Sequence, residues 1–98
     1  MIRKQVTDFI NLGPLPPESS SEETIGRHQD LLSQIKAPVT DEEATVLVRC
    51  FGDDDSFGLA WTLLHLIESA PGGIPLKSPP KHSDGEWLNR LWTRSHGK

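Results

Sequence analysis

Cysteine is nearly absent from this chain of 98 residues, where Cys50 stands alone. A single thiol excludes an internal disulfide framework and suits a reducing cytosol, so a cytoplasmic setting is expected. No run of 18 apolar residues occurs, which excludes a transmembrane helix and any membrane partner of that kind. Arg3 and Lys4 are followed by Gln5, Thr7 and Asp8, so we expect no secretory leader. Apolar residues reach only 35%, below the level of an average domain, and a large core is ruled out. Leu, Ile, Val and Phe still number 25 of 98, above the roughly 20% below which chains tend to stay disordered. The length suits one domain spanning 1–98.

Helix punctuation is clear. Three stretches carry a hydroxyl residue followed three later by Glu, the pattern that satisfies two orphan amides at a helix start. They are Ser20–Glu23, Thr40–Glu43 and Ser83–Glu86. Stop signals stand at Gly13-Pro14, Ala37-Pro38, Gly52, Ala70-Pro71 and Gly97. The spacing therefore predicts five helices, over about 3–12, 20–36, 41–51, 55–70 and 84–95. In the first, Ile2, Val6, Phe9 and Ile10 share a face; in the second, Ile25, His28, Leu32 and Ile35 do. The fourth is apolar almost all round except for Gly58, Thr62, His65 and Ser69, so it belongs at the centre, with Trp61 and Leu64 in the core. No stretch alternates long enough to make a strand. The fold class is all-α, a small bundle of about five helices around that hydrophobic one. A short Pro-rich link covers 13–19, and a longer one covers 71–83, anchored by Ile74 and Leu76 if it packs.

Charge is segregated. From 18 to 55 ten acids face only Arg27, Lys36 and Arg49, whereas from 56 to 98 bases outnumber acids. The net charge of −4 argues against general affinity for nucleic acid. Asp53, Asp55 and Gly58 match positions 1, 3 and 6 of a calcium loop, but Phe57 and Leu64 fall where oxygen ligands are required. One or two aspartates of the 53–55 turn are instead expected to cap the fourth helix. Cys50 near a helix end lacks the setting of a nucleophile and reads as an inert buried thiol. His65 and Glu68 sit three apart, in the reverse order to the Glu-x-x-His of a carboxylate metal site. The histidines and the cysteine show no zinc spacing. Phosphate loops, G-x-S-x-G and HExxH are missing too. No cofactor and no catalytic set is expected. Pro14 to Pro17 fits PxxP, yet Glu18 follows, and a stiff linker is the reading.

The segment 39–70 reads as helix, acidic turn and more hydrophobic helix. With Asp54 or Asp55 in the turn and Ala60, Leu63 and Leu64 beyond it, this segment resembles one unit of a HEAT-like helical repeat. The Val-Arg pair usual near the start of the second helix is replaced by Phe57-Gly58-Leu59. The resemblance implies a helical hairpin that serves as a scaffold for protein contacts. The block from Phe57 to Pro71 also resembles the central helix of small bacterial proteins, which implies no function.

Together these features point to a non-catalytic α-helical protein-protein interaction protein, with an immunity- or antitoxin-like role as its most concrete form. The expected partner is a basic protein, since opposed potentials steer association. Candidate contacts are Glu42, Glu43, Asp53, Asp54 and Asp55, joined by the aromatic pair Trp87 and Trp92. The chain itself is expected as a monomer or homodimer. The alternative is a small metal-dependent hydrolase using His65 with Glu68 or the aspartates. A third option rests nucleic-acid contact on Arg90, Arg94, Lys98 and the tryptophans. For the last helix we expect docking on its own chain through Trp87, Leu88, Leu91 and Trp92, with Arg90 and Arg94 toward solvent.

Overall fold

The computed structural model describes residues 2–52 and 54–96. Five α-helices form a small all-α bundle: α1 (Lys4–Leu12), α2 (Glu22–Ser33), α3 (Asp41–Leu47), α4 (Leu59–Glu68) and α5 (Glu86–His96). Short 3₁₀ turns extend α3 over Val48–Cys50 and precede α5 over His82–Asp84. No strand occurs among the described residues. Leu59, Ala60, Leu63, Leu64, Leu66 and Ile67 of α4 are all buried. That helix packs on α2, α3 and α5, while α1 closes the bundle against α2 and α3. The central position expected for the fourth helix is therefore correct.

Helix starts decide the details. Thr40 caps α3 as expected: its hydroxyl accepts from the Glu43 amide at 3.1 Å, and Glu43 Oε1 accepts from the Thr40 amide at 2.9 Å. For α2 the cap is Ser21, one residue later than predicted, accepting from the Thr24 amide at 3.2 Å. Before α5 the Ser83–Glu86 box does not form. The chain turns through a 3₁₀ segment, and Gly85 at φ 105° leads into the helix. The fourth helix begins at Leu59 rather than 55, because Ser56, Phe57 and Gly58 all take left-handed φ values of 49°, 56° and 92°. A right-handed helix cannot pass through such a run. Gly58, which has no side chain to offer, occupies the cap position, so Asp54 and Asp55 do not cap α4, and Asp53 lies outside the described residues.

Both linkers contribute to the core. Leu15 and Pro16 are buried, and the Leu15 amide donates to the Cys50 carbonyl at 2.8 Å. A Cβ on Gly52 would meet the Leu15 carbonyl oxygen at 2.3 Å, so this crossing of two backbones needs glycine. Residues 71–83 lie against the bundle, with Ile74 and Leu76 half-buried on the core and the Gly72 amide bonded to Asp41 Oδ1 at 2.8 Å. His28, on the apolar face of α2, is buried; its Nδ1–H donates to the Thr24 carbonyl and its ring meets Phe9 edge-on.

One expectation about the packing of α4 is overturned. Leu64 is fully buried, whereas Trp61, expected in the core, is 37% exposed. Leu64→Ala should therefore cost about 2–5 kcal/mol in urea unfolding. Trp61→Ala, which loses ring contacts rather than core volume, should cost only about 1–2 kcal/mol. Equal losses in the two variants would show that the α4 register is wrong.

Candidate functional site

The residues expected to form a partner surface fall into three places. Asp53 lies outside the described residues. Glu42 is exposed on the first turn of α3. Glu43 is not a surface contact at all. Its carboxylate is fully buried and takes Arg3 Nε at 2.9 Å, Arg3 Nη2 at 3.0 Å and the Arg3 amide at 2.8 Å. Hydrogen bonds from Arg3, outweighing the penalty of burial, hold the Glu43 carboxyl at about 2, well below the ordinary value of 4.5. A charge counted as exposed is thus a structural anchor, because its counter-ion lies forty residues away in the chain.

Asp54 and Asp55 are half-buried and build the turn that precedes α4. Asp54 Oδ1 accepts from the Ser56 amide and Oδ2 from the Glu18 amide, each at 3.0 Å. Glu18 returns the contact by accepting from the Phe57 amide at 3.1 Å. The buried Ser56 hydroxyl donates to the Pro16 carbonyl, and the Asp55 carbonyl accepts from the Gly58 and Ala60 amides. Left-handed conformations at two non-glycine residues cost about 1–3 kcal/mol each, and these contacts hold them in place. At the summit stands Phe57, 67% exposed. Sequence reasoning placed this ring inside the fourth helix. The local signal that it lies outside is Gly58, the residue type that ends a left-handed run at least cost.

A second cluster joins α4 to α5. Trp87 is 3% exposed and stacks on Phe51, with ring centres 6.0 Å apart and planes 11° apart. Trp61 meets Trp87 edge-on at 5.2 Å. The Arg90 guanidinium lies 4.5 Å from the Trp87 ring centre and 5.0 Å from that of Trp61, while also pairing with Glu86. Arg94 makes a two-pronged pair with Glu68, at 2.8 and 3.1 Å. The last helix therefore docks on its own chain. Contrary to expectation, Arg90 and Arg94 turn toward α4 rather than simply into solvent. Trp92 is half-buried and stacks on His96 at 3.7 Å. Lys98 lies outside the described residues.

The groups considered for catalysis are occupied differently. Cys50 is buried, and burial pushes its thiol up to about 11, far from the thiolate a nucleophile needs. His65 is exposed beside Trp61, while Glu68 is held by Arg94. Among the described residues no three His, Cys, Asp or Glu side chains gather in a way that could hold a metal ion. No helix among them is long and apolar enough to cross a membrane. The chain matches no family model, no curated protein and no solved structure.

The Glu43 anchor generates a pH prediction. Because its folded-state pKa lies below the ordinary value, its stabilisation is complete above about pH 4.5 and disappears as pH falls toward 2. Discounting for the 40% exposure of the Arg3 side chain, we expect a loss of about 2–3 kcal/mol across that window. Urea titrations at pH 7, 5 and 3 should show the loss, and Glu43→Gln should be less stable at pH 7 with a flatter profile. A Glu43→Gln profile parallel to that of the parent would place the acid sensitivity elsewhere.

Proposed function

We propose that this protein is a non-catalytic helical interaction module that docks on a partner protein through the turn before α4. The observation that carries the reading is Phe57, a large apolar ring 67% exposed at the top of a turn braced by Asp54, Ser56 and Glu18. An aromatic residue on a braced backbone loses little main-chain freedom on binding, and buried aromatic anchors contribute most of the energy of protein interfaces. Acidic groups surround it: Asp54, Asp55 and Glu18 lie in the same braced unit. The partner is accordingly an apolar pocket with a basic rim, in which the ring supplies affinity and the carboxylates supply orientation and on-rate. An immunity- or antitoxin-like neutralisation of a basic protein is the role this arrangement suits. The resemblance of 39–70 to a HEAT-like hairpin belongs with the same reading, with α3 and α4 as the scaffold that presents the turn.

The test is capture from the source cell at low and moderate salt, with Phe57→Ala beside the parent protein. We expect the substitution to abolish a specific capture while changing stability by no more than about 0.5 kcal/mol, as exposed positions do. Capture that survives Phe57→Ala unchanged would remove the turn from the interface.

A further inference from the structure

The turn before α4 carries the signals of two structures at once. Ser56 and Phe57 hold left-handed φ values of 49° and 56°, and Gly58 follows at 92°. A bulky residue such as phenylalanine rarely takes that region. Two contacts from the 13–19 link keep it there. Glu18 Oε2 accepts from the Phe57 amide at 3.1 Å, and the Ser56 hydroxyl donates to the Pro16 carbonyl. The same residues also suit a helix wound back to Asp55. Asp54 Oδ1 already accepts from the Ser56 amide at 3.0 Å, the contact that a capping aspartate makes with the second residue of a helix beginning at 55. A separate observation points the same way. The large apolar side chains exposed among the described residues are Phe57 and Trp61. They stand four apart, the spacing at which a helix brings two side chains together. In the observed turn Trp61 meets the rings of His65 and Trp87 but not that of Phe57.

We propose that this segment is a two-state conformational switch and that Glu18 is its latch. Latched, the chain displays Phe57 on the turn. Released, α4 winds back by about one turn, Phe57 becomes its third residue, and the Phe57 ring packs on Trp61. Asp54 and Glu18 compete for the first-turn amides: Asp54 as the cap of the longer helix, Glu18 as the acceptor that holds Phe57 out of it. Winding exchanges the Glu18–Phe57 and Ser56–Pro16 bonds for intrahelical ones and relieves two left-handed residues. Gly58 sets the balance, since glycine takes positive φ freely and is the poorest helix former after proline. A Cβ at this position meets nothing within 4 Å, so Gly58→Ala acts through backbone conformation and not through space. The consequence for binding, that release withdraws Phe57 from a partner, rests on the proposed function; the two states do not.

The full chain is compared with Glu18→Ala and with Gly58→Ala by nuclear Overhauser spectra. A positive φ brings a residue's own amide and Hα protons close, so the parent should show strong intraresidue cross-peaks at Ser56 and Phe57. Glu18→Ala, at an exposed position, should move the balance about tenfold toward the wound form, and Gly58→Ala in the same direction. In both variants the intraresidue peaks should fade. Helical contacts from the Hα of 55 to the amide of 58, and contacts between the Phe57 and Trp61 rings, should replace them. The methyl resonances of Leu64 and Leu91 should stay in place, showing an intact bundle. Glu18→Ala removes no core contact, so it decides the matter if Gly58→Ala folds poorly. Intraresidue peaks of parent strength in either folded variant, or a 55–58 segment showing neither pattern, would overturn the proposal. These spectra need no partner, so their failure is distinct from that of the docking reading, which capture with Phe57→Ala decides.

Discussion

The buried carboxylate of Glu43 ties together three parts of the chain by polar contacts, beneath which their apolar faces share one core. It completes the cap of α3 through Thr40 and receives the Arg3 amide and guanidinium from the start of α1. Through that same guanidinium it reaches the Lys36 carbonyl, at 3.0 Å from Arg3 Nη2, in the link between α2 and α3. A lone buried carboxylate would be expensive; here each oxygen has donors, one of them charged. The dependence runs outward from this point. Fixing the start of α3 fixes where its apolar face meets α4, and α4 in turn supplies the surface on which α2 and α5 pack.

Around that anchor the molecule uses linkers as core. With apolar residues at 35% of the chain, five short helices alone bury little, and Leu15, Ile74 and Leu76 add apolar area from segments without regular structure. Each such segment brings backbone polar groups with it, and these find partners: Leu15 with Cys50, Gly72 with Asp41, Glu18 with Asp54. The long link at 71–83 is thus a strap across the bundle rather than a tether, which is why α5 reaches α4 in register for Trp87 and Leu91 to be buried.

Much of this was legible in the residues. The five helices, the all-α class and the place of α4 follow from hydrophobic period and from stop residues, both of them local signals. The misreadings share a cause. Glu43 looked like a surface charge because a window along the chain does not contain Arg3. Ser20 and Ser21 both precede polar residues at cap spacing, and packing chooses between them. The start of α4 was misplaced because backbone handedness at Ser56 and Phe57 is set by contacts to Pro16 and Glu18, forty residues back. That one displacement moved Phe57 from the expected fourth helix into an exposed turn.

Where polar groups are satisfied and where they are not separates scaffold from surface in this fold. At the start of α3 every donor and acceptor of the cap is matched, and the site is closed around a fully buried carboxylate. At the start of α4 the orphan amides are met by a left-handed turn that spends its strain on presenting one aromatic ring. At the start of α5 the matching stops: the Ser83 hydroxyl that could cap the helix makes no hydrogen bond, and the first-turn amides have no acceptor among the described residues. A chain that caps α2 and α3 with side chains has the residue types to do the same at α5, since Ser83 stands three residues before Glu86. The intervening 3₁₀ turn and Gly85 take that serine out of reach. The first-turn amides of α5 are thereby left without acceptors among the described residues, whereas Asp54 in the turn before α4 has both carboxylate oxygens bonded.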